Sequence, residues 1–315
     1  VSAEPSNTGK PETTAKSGGI RFDRNELAGA FGDIGTDLPL IIGMIAVAGL
    51  DAASVLVMYG LMQIGTGLYY RLPMPVQPLK AVAILVMTTA ATGKITSGVI
   101  YGGGLAIGIT MLVLTATGLM DLIGRIVPKV VVRGIQLGLG LQLATLALKE
   151  YVPKDGVPGY WLAGAAFVVA LALYGNRKYP AALFIIIAGA VYACIWKLNW
   201  GEAGRNIGLQ LPKFQVPALE DIKQGFLLLA LVQVPLSIGN SILAASQTAK
   251  DLFPERAPSM RKISFTYSAM NLINPFFGGI PTCHGSGGLA GYYAFGGRTG
   301  GAVIIYGSLY LVLGL

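Results

Sequence analysis

Pro73-Met-Pro-Val-Gln-Pro-Leu-Lys80 and Gly279-Ile-Pro-Thr-Cys-His-Gly-Ser-Gly-Gly288 interrupt sequence that is otherwise apolar enough to lie in a bilayer. In hydrocarbon every peptide N–H and C=O must be paired within the protein. A proline- or glycine-rich break therefore survives only where it is buried among other segments or lines a polar cavity. Each break is followed by an apolar stretch, 81–92 and 289–295, that restarts a helix. The first turn of such a helix has N–H groups without intrahelical acceptors and carries roughly half a positive charge. Two discontinuous half-helices of this kind make a candidate site for an anion.

The rest of the chain supplies the membrane setting. Of 315 residues, 53% are hydrophobic, 12% are charged and 44 are glycine, and the mean hydropathy is +0.63. Those values exclude an ordinary soluble domain and define an all-α polytopic membrane protein. The net charge of +8 comes from lysines and arginines scattered through short loops, with no stripe of interleaved aromatics. The lipid bilayer is thus an expected partner and nucleic acid is not. Cys194 and Cys283 are too few for a disulfide framework. His284 is the sole histidine, so neither a metal site nor a cofactor is expected. Residues 1–20 are polar, lack the apolar core of a signal peptide and read as a disordered tail.

Apolar segments fall at about 27–49, 52–70, 75–92, 99–118, 130–148, 160–175, 180–197, 224–247, 263–278, 281–296 and 300–315, which makes about eleven spans. Asp121, Arg125, Lys129 and Arg133 recur at helical spacing, so 119–132 reads as an interfacial helix. Residues 198–223 form a loop on the outer face, and further spans are expected beyond Leu315. With a cytoplasmic N-terminus, the inner loops collect Arg21, Arg24, Arg71, Arg125, Arg133, Arg177, Lys178, Arg261 and Lys262. The outer ones hold Lys94, Lys149, Lys154, Arg205 and Lys213 beside Asp51, Glu150, Asp155 and Glu202, so the positive-inside rule favours this orientation. An internal repeat agrees: Leu38-Pro-Leu-Ile-Ile-Gly43 resembles Val234-Pro-Leu-Ser-Ile-Gly239, and each precedes a break by two apolar segments. The two copies run oppositely under this orientation, as in an inverted repeat whose site lies near the midplane.

Candidate ligand residues cluster at the breaks. Gln77 and Pro78 precede the first half-helix and Lys80 opens it. A carboxamide and an ammonium there suit an oxyanion, while interhelical bonding and snorkelling are the alternatives. Thr282, Cys283, His284, Gly285, Ser286 and Gly287 combine side-chain donors with glycines that let backbone approach a ligand. His284 is either a donor or proton relay, or a hydrogen-bonded structural residue. The first span places Asp33, Thr36 and Asp37 in an apolar run. Either acid is a candidate for coupling a proton to movement of a ligand, with an ion pair or a helix cap as the other reading. Ser237 and Asn240, with Gln233 and Ser241, supply polar groups at helical spacing for an opposite wall or for helix–helix bonding.

Gly32-Asp-Ile-Gly-Thr36, Pro73-Met-Pro-Val-Gln-Pro-Leu-Lys-Ala81, Pro281-Thr-Cys-His-Gly-Ser-Gly-Gly-Leu-Ala-Gly291 and Phe295-Gly-Gly-Arg-Thr-Gly300 resemble, in this order, the molybdate transporter family related to the SulP sulfate permeases. The resemblance runs from about Arg21 to Gly301. It implies a seven-plus-seven inverted-repeat transporter in which a core, 21–118 and 224–315, carries the anion against a gate that includes 119–197. It also implies a multi-pass integral membrane protein, in the cell (inner) membrane if the source is bacterial. The implied substrate is molybdate, with sulfate as the competing oxyanion, a proton or sodium ion as coupling partner and a homodimer as assembly. Relatives with a carboxylate in the eighth span use it near substrate, whereas this chain has Asn240. An anion channel remains a rival reading. A membrane enzyme using Cys283 and His284 is disfavoured because neighbouring residues point apart and no third group orients them.

Overall fold

Helix α1, Arg24–Ala30, starts where the Asp23 carboxylate accepts from Asn25 N and Glu26 N. In the computed structural model, which describes residues 19–89, 95–173, 181–198, 208 and 210–314, α1 ends after seven residues. Most of the expected polar tail lies outside the described residues, as do Lys94, Arg177, Lys178 and Arg205. α2, Ile34–Ala48, follows at a bend of 42°, so the expected unbroken first span is instead a helix pair. Backbone packing explains the bend. A Cβ on Gly32 would sit 2.5 Å from the carbonyl carbon of Gly291, and one on Gly29 would sit 2.6 Å from Gly297 Cα. Only glycine permits two chains to touch backbone to backbone.

Asp51 caps α3, Ala52–Tyr70, and Thr96 caps α5, Ser97–Ala116. Between them lies α4, Lys80–Thr89. The expected interfacial helix over 119–132 is shorter than anticipated: α6, Leu119–Ile126, ends before Pro128 and α7, Lys129–Leu146, begins after it. Proline disfavours helical geometry in the residue before it, which accounts for the division. Next come α8, Val157–Ala172, and α9, Ala181–Trp196. A single long helix, α10, Leu219–Leu252, contains π-helical stretches at Phe226–Ala230 and Ser237–Ala244. The chain continues through α11, Met260–Ile273, α12, Ser286–Ala294, and α13, Gly301–Leu313.

Among the described residues each expected apolar segment contains a helix or helix pair, and those at 75–92 and 281–296 open with non-helical residues; 90–92, 174–175, 180 and 315 lie outside the described residues. Among the described residues α3, α5 and α10 are long and apolar enough to cross a membrane, and α1 with α2 adds a fourth if taken as one span. The core lies between α3 and α13, α5 and α11, and the two broken segments, around fully buried Tyr59, Tyr267, Tyr292 and Tyr306. Exposed apolar side chains such as Phe167, Val168, Leu171 and Ile187 cover α8 and α9, as lipid-facing helices require.

An element absent from the all-α expectation joins the two breaks. β1, Gln77–Pro78, pairs antiparallel with β2, Thr282–Cys283, in the register Gln77 to Cys283 and Pro78 to Thr282. Leu79 N donates to Pro281 O at 3.1 Å just beyond the ribbon. Each break thus satisfies the other's backbone, and antiparallel pairing is the arrangement two oppositely running repeats produce.

Candidate functional site

The ribbon ends where two helices begin. α4 starts at Lys80, and α12 starts at Ser286. The backbone N–H groups of Ser286, Gly287 and Gly288 occupy a first helical turn, where intrahelical acceptors do not exist. Asp33, at the start of α2, lies against this junction and is buried with Gln77, Lys80, Asn240 and Ser286.

A chain of polar contacts fixes these groups. Gln77 Nε2 donates to Asp33 Oδ2 at 2.5 Å, and Lys80 Nζ donates to Gln77 Oε1 at 3.2 Å. The carboxamide therefore stands between acid and ammonium and holds its orientation from both ends. Across the junction Ser286 Oγ donates to Asn240 Oδ1 at 3.0 Å. Gln233 Oε1 accepts from Ala81 N at 3.2 Å, and Gln233 Nε2 donates to Ser237 Oγ at 3.0 Å. Ser237 Oγ lies 2.7 Å from Tyr267 OH, which ties α10 to α11. Ser237 and Asn240 both belong to the second π-helical stretch, where widening of the helix changes the direction of its side chains.

Glycines shape the space. A Cβ on Gly285 would overlap the Gln77 carboxamide, and one on Gly288 would lie 2.9 Å from both Asp33 Cγ and Gln77 Nε2. At Gly287 nothing lies within 4 Å of the same position. One side of the α12 start is therefore packed against Gln77 and Asp33, and Gly287 opens onto free volume.

The sequence-derived site divides in two. Asp33, Gln77, Lys80, Asn240, Gly285, Ser286 and Gly287 come together around the helix starts, with Cys283 buried beside them in β2. Ser237 reinforces the wall behind them. Thr282, Pro78 and His284 serve the frame instead. Thr282 N donates to Asn271 Oδ1 at 3.0 Å, Asn271 Nδ2 donates to Thr282 O at 2.7 Å, and Asn274 Nδ2 donates to Thr282 Oγ1 at 3.2 Å. Pro78 is paired with Thr282 in the ribbon. His284 Nδ1 lies 2.9 Å from Pro75 O and Nε2 lies 2.7 Å from Thr266 Oγ1. Because the carbonyl only accepts, Nδ1 is the donor, and both ring nitrogens are occupied by protein. Thr36 is half-buried, with its N–H bonded to Asp33 O at 3.0 Å.

Asp37, one turn beyond Asp33, faces α3: Tyr59 OH lies 2.5 Å from its Oδ2 and 2.5 Å from Val76 O. Gln63 Nε2 donates to Val76 O at 2.8 Å, and Val76 N donates to Gln63 Oε1 at 3.2 Å. Gln63, Tyr59, Thr266, Asn271 and Asn274 escaped the sequence reading, although each is a polar residue in an apolar span and such residues are rarely idle. A separate cavity of about 650 Å³ between α2, α8 and α9 is lined by Pro39, Leu162, Val169, Phe184 and Ile185. Its lining offers little to offset dehydration of an anion.

These features define a membrane transporter of the inverted-repeat type, with two discontinuous helices meeting at a polar centre. Solved structures share the fold. The transmembrane domain of the cyanobacterial bicarbonate transporter BicA matches with a TM-score of 0.58 at 18% identity, over 92% of this chain and 82% of that one. The murine anion transporter Slc26a9 in its inward-facing state matches with a TM-score of 0.61 at 12% identity, over 92% and 56%. The chain belongs to the molybdate transporter family, described as molybdate transporters of the MFS superfamily, whose model matches residues 25–143 and 225–315. The structural likeness is nevertheless to the BicA and Slc26a9 fold. Molybdate transporter 2 of Arabidopsis thaliana is 33% identical over 92% of this chain and 71% of its own length. Molybdate transporter 1 of the same plant is 34% identical over 92% and 72%. Molybdate transporter 1 of Chlamydomonas reinhardtii is 26% identical over 92% and 77%.

Proposed function

We propose that this integral membrane protein transports molybdate, binding the oxyanion between the starts of α4 and α12. The observation that carries the reading is the convergence of two helix N-termini on a buried set of Gln77, Lys80, Asn240 and Ser286, with free space at Gly287. Each helix start contributes about 0.3–2 kcal/mol toward an anion. Two starts and neutral donors, with the Lys80 ammonium balancing the nearby Asp33 carboxylate, offset part of the dehydration of a small doubly charged ion. A nucleobase would need stacked aromatics or a fixed hydrogen-bonding edge, which this centre does not supply. The names and identities of the plant and algal relatives support molybdate over sulfate.

In this reading 21–118 and 224–315 form the core that carries the ion, and 119–197 belong to the gate against which it moves. The N-terminus faces the cytoplasm, and in a bacterium the protein resides in the inner membrane. Calorimetric titration of the purified chain with molybdate, sulfate and uracil tests the substrate. Saturable molybdate binding that is lost in Gln77→Ala and in Ser286→Ala supports the two-start site. Stronger sulfate binding reassigns the substrate, and uracil binding or intact binding in the double variant rejects the site.

A further inference from the structure

Tyr59 has one hydroxyl hydrogen, yet its oxygen stands 2.5 Å from two oxygens, Asp37 Oδ2 and Val76 O. Two oxygens at that separation without a hydrogen between them repel. Gln63 cannot provide the missing hydrogen to Asp37, because its Nε2 lies 3.2 Å from the tyrosine oxygen and 2.8 Å from Val76 O. Val76 O is a carbonyl and only accepts. The arrangement closes when Asp37 Oδ2 carries a proton and donates it to Tyr59, whose own hydrogen goes to Val76 O.

Charge counting gives the same result. Asp37 is fully buried, and its Oδ1 has no hydrogen-bond partner among the described residues. The ionisable groups around it are Asp33 on its own helix, Lys80 on α4, Tyr59 on α3, Cys283 in β2, Tyr292 on α12, and Tyr306 and Tyr310 on α13. Lys80 is the single cation of this set, and Asp33 reaches it through Gln77. With both acids ionised the set holds one uncompensated negative charge beside the anion site. A proton on Asp37 removes it.

We propose that Asp37 is the proton-binding site that couples oxyanion movement to a proton gradient, a role that rests on the oxyanion reading of the neighbouring helix starts. Val76 O belongs to the residue just before β1, so the protonated Asp37–Tyr59–Val76 chain is joined directly to the strand that orients Gln77. Loss of the proton places a negative charge next to the anion and breaks the shared bond to the strand, and both changes favour release. Proton and oxyanion then bind cooperatively and leave together.

The test is binding of molybdate and of sulfate to the purified chain over the whole pH range in which it stays folded, by calorimetry. In the unaltered protein affinity is constant while ligand-free Asp37 holds its proton and falls, by up to tenfold per pH unit, as pH rises past the point where that proton is lost. Asp37→Asn holds the neutral form permanently, so its affinity stays flat and equals the low-pH value. Asp33→Asn weakens binding and keeps the slope. Tyr59→Phe deletes the shared hydroxyl and displaces the profile along the pH axis. A folded Asp37→Asn protein with an unchanged slope overturns the proposal, as does pH-independent binding by the unaltered protein. Should Asp37→Asn fail to fold, a Tyr59→Phe profile that superimposes on the original is equally decisive against it. Failure to bind either oxyanion at any pH rejects the transport reading itself, whereas binding without pH dependence rejects the proton site alone.

Discussion

Gln77 and Cys283 stand opposite each other in an antiparallel ribbon of two residues per strand, although 205 positions separate them in the chain. This pairing makes one rigid unit of two helix breaks, because each supplies hydrogen-bond partners that the other would otherwise lack in a water-poor interior. The starts of α4 and α12 are thereby tied to one ribbon, so the first helical turns that the proposed oxyanion site uses are fixed relative to each other.

Gly285 and Gly287 should differ in what alanine does to stability. Gly285→Ala forces a methyl group into the Gln77 carboxamide, so thermal stability falls by about 1–3 kcal/mol and oxyanion binding disappears. Gly287→Ala meets no neighbour within 4 Å, so unfolding is within about 0.5–1 kcal/mol of the original while affinity drops. Thermal unfolding with and without molybdate separates the two.

Gln233→Ala removes the acceptor of Ala81 N and the partner of Ser237. Loss of a helix-capping side chain costs about 0.5–2 kcal/mol. Because this one orients the first turn of α4, we expect a loss of up to about tenfold in molybdate affinity, which corresponds to about 1.4 kcal/mol. Gln233→Glu restores the acceptor and should recover stability without recovering affinity, since it adds negative charge beside the anion.

Gly32→Ala tests the bend between α1 and α2. Its methyl group would lie 2.6 Å from Gly291 O and 2.7 Å from Tyr292 N, both rigid backbone. Helix α12 and the α1–α2 corner must separate, so we expect a monodisperse protein at low yield or none, and a lowered melting temperature where it is obtained. An unaffected melting temperature would show that the corner yields easily.

Asp51, outside the membrane segments, sets an acid limit on stability. Partial burial pushes its carboxyl upward, but bonds from Lys213, Ser54 Oγ and Ser54 N outweigh that effect and hold it below the ordinary aspartate value. A depressed carboxylate stabilises the fold above its unfolded value near 3.9, and that contribution is lost as pH falls through the folded value. Melting temperature should therefore decline below about pH 4, and the decline should be shallower in Asp51→Asn.

Much of this protein was written in local sequence. Apolar length located the helices, the proline and glycine runs marked both breaks, and Gln77, Lys80 and Ser286 were identifiable as polar residues at helix starts. Bilayer physics makes those signals strong, since an unpaired peptide group in hydrocarbon has no solvent to accept it. Tertiary contact decided the rest. No local rule indicated that the breaks pair with each other, that Gly32 meets Gly291 backbone to backbone, or that His284 turns toward Pro75 and Thr266. That Gln77 meets Asp33 while Tyr59 meets Asp37 is likewise supplied only by the tertiary structure. Sequence determined which segments form apolar helices and where they break, because those properties follow from each segment's own backbone and solvent. Which side chain serves the ligand, the frame or the proton depends on partners brought from distant segments, and only packing in three dimensions supplies them.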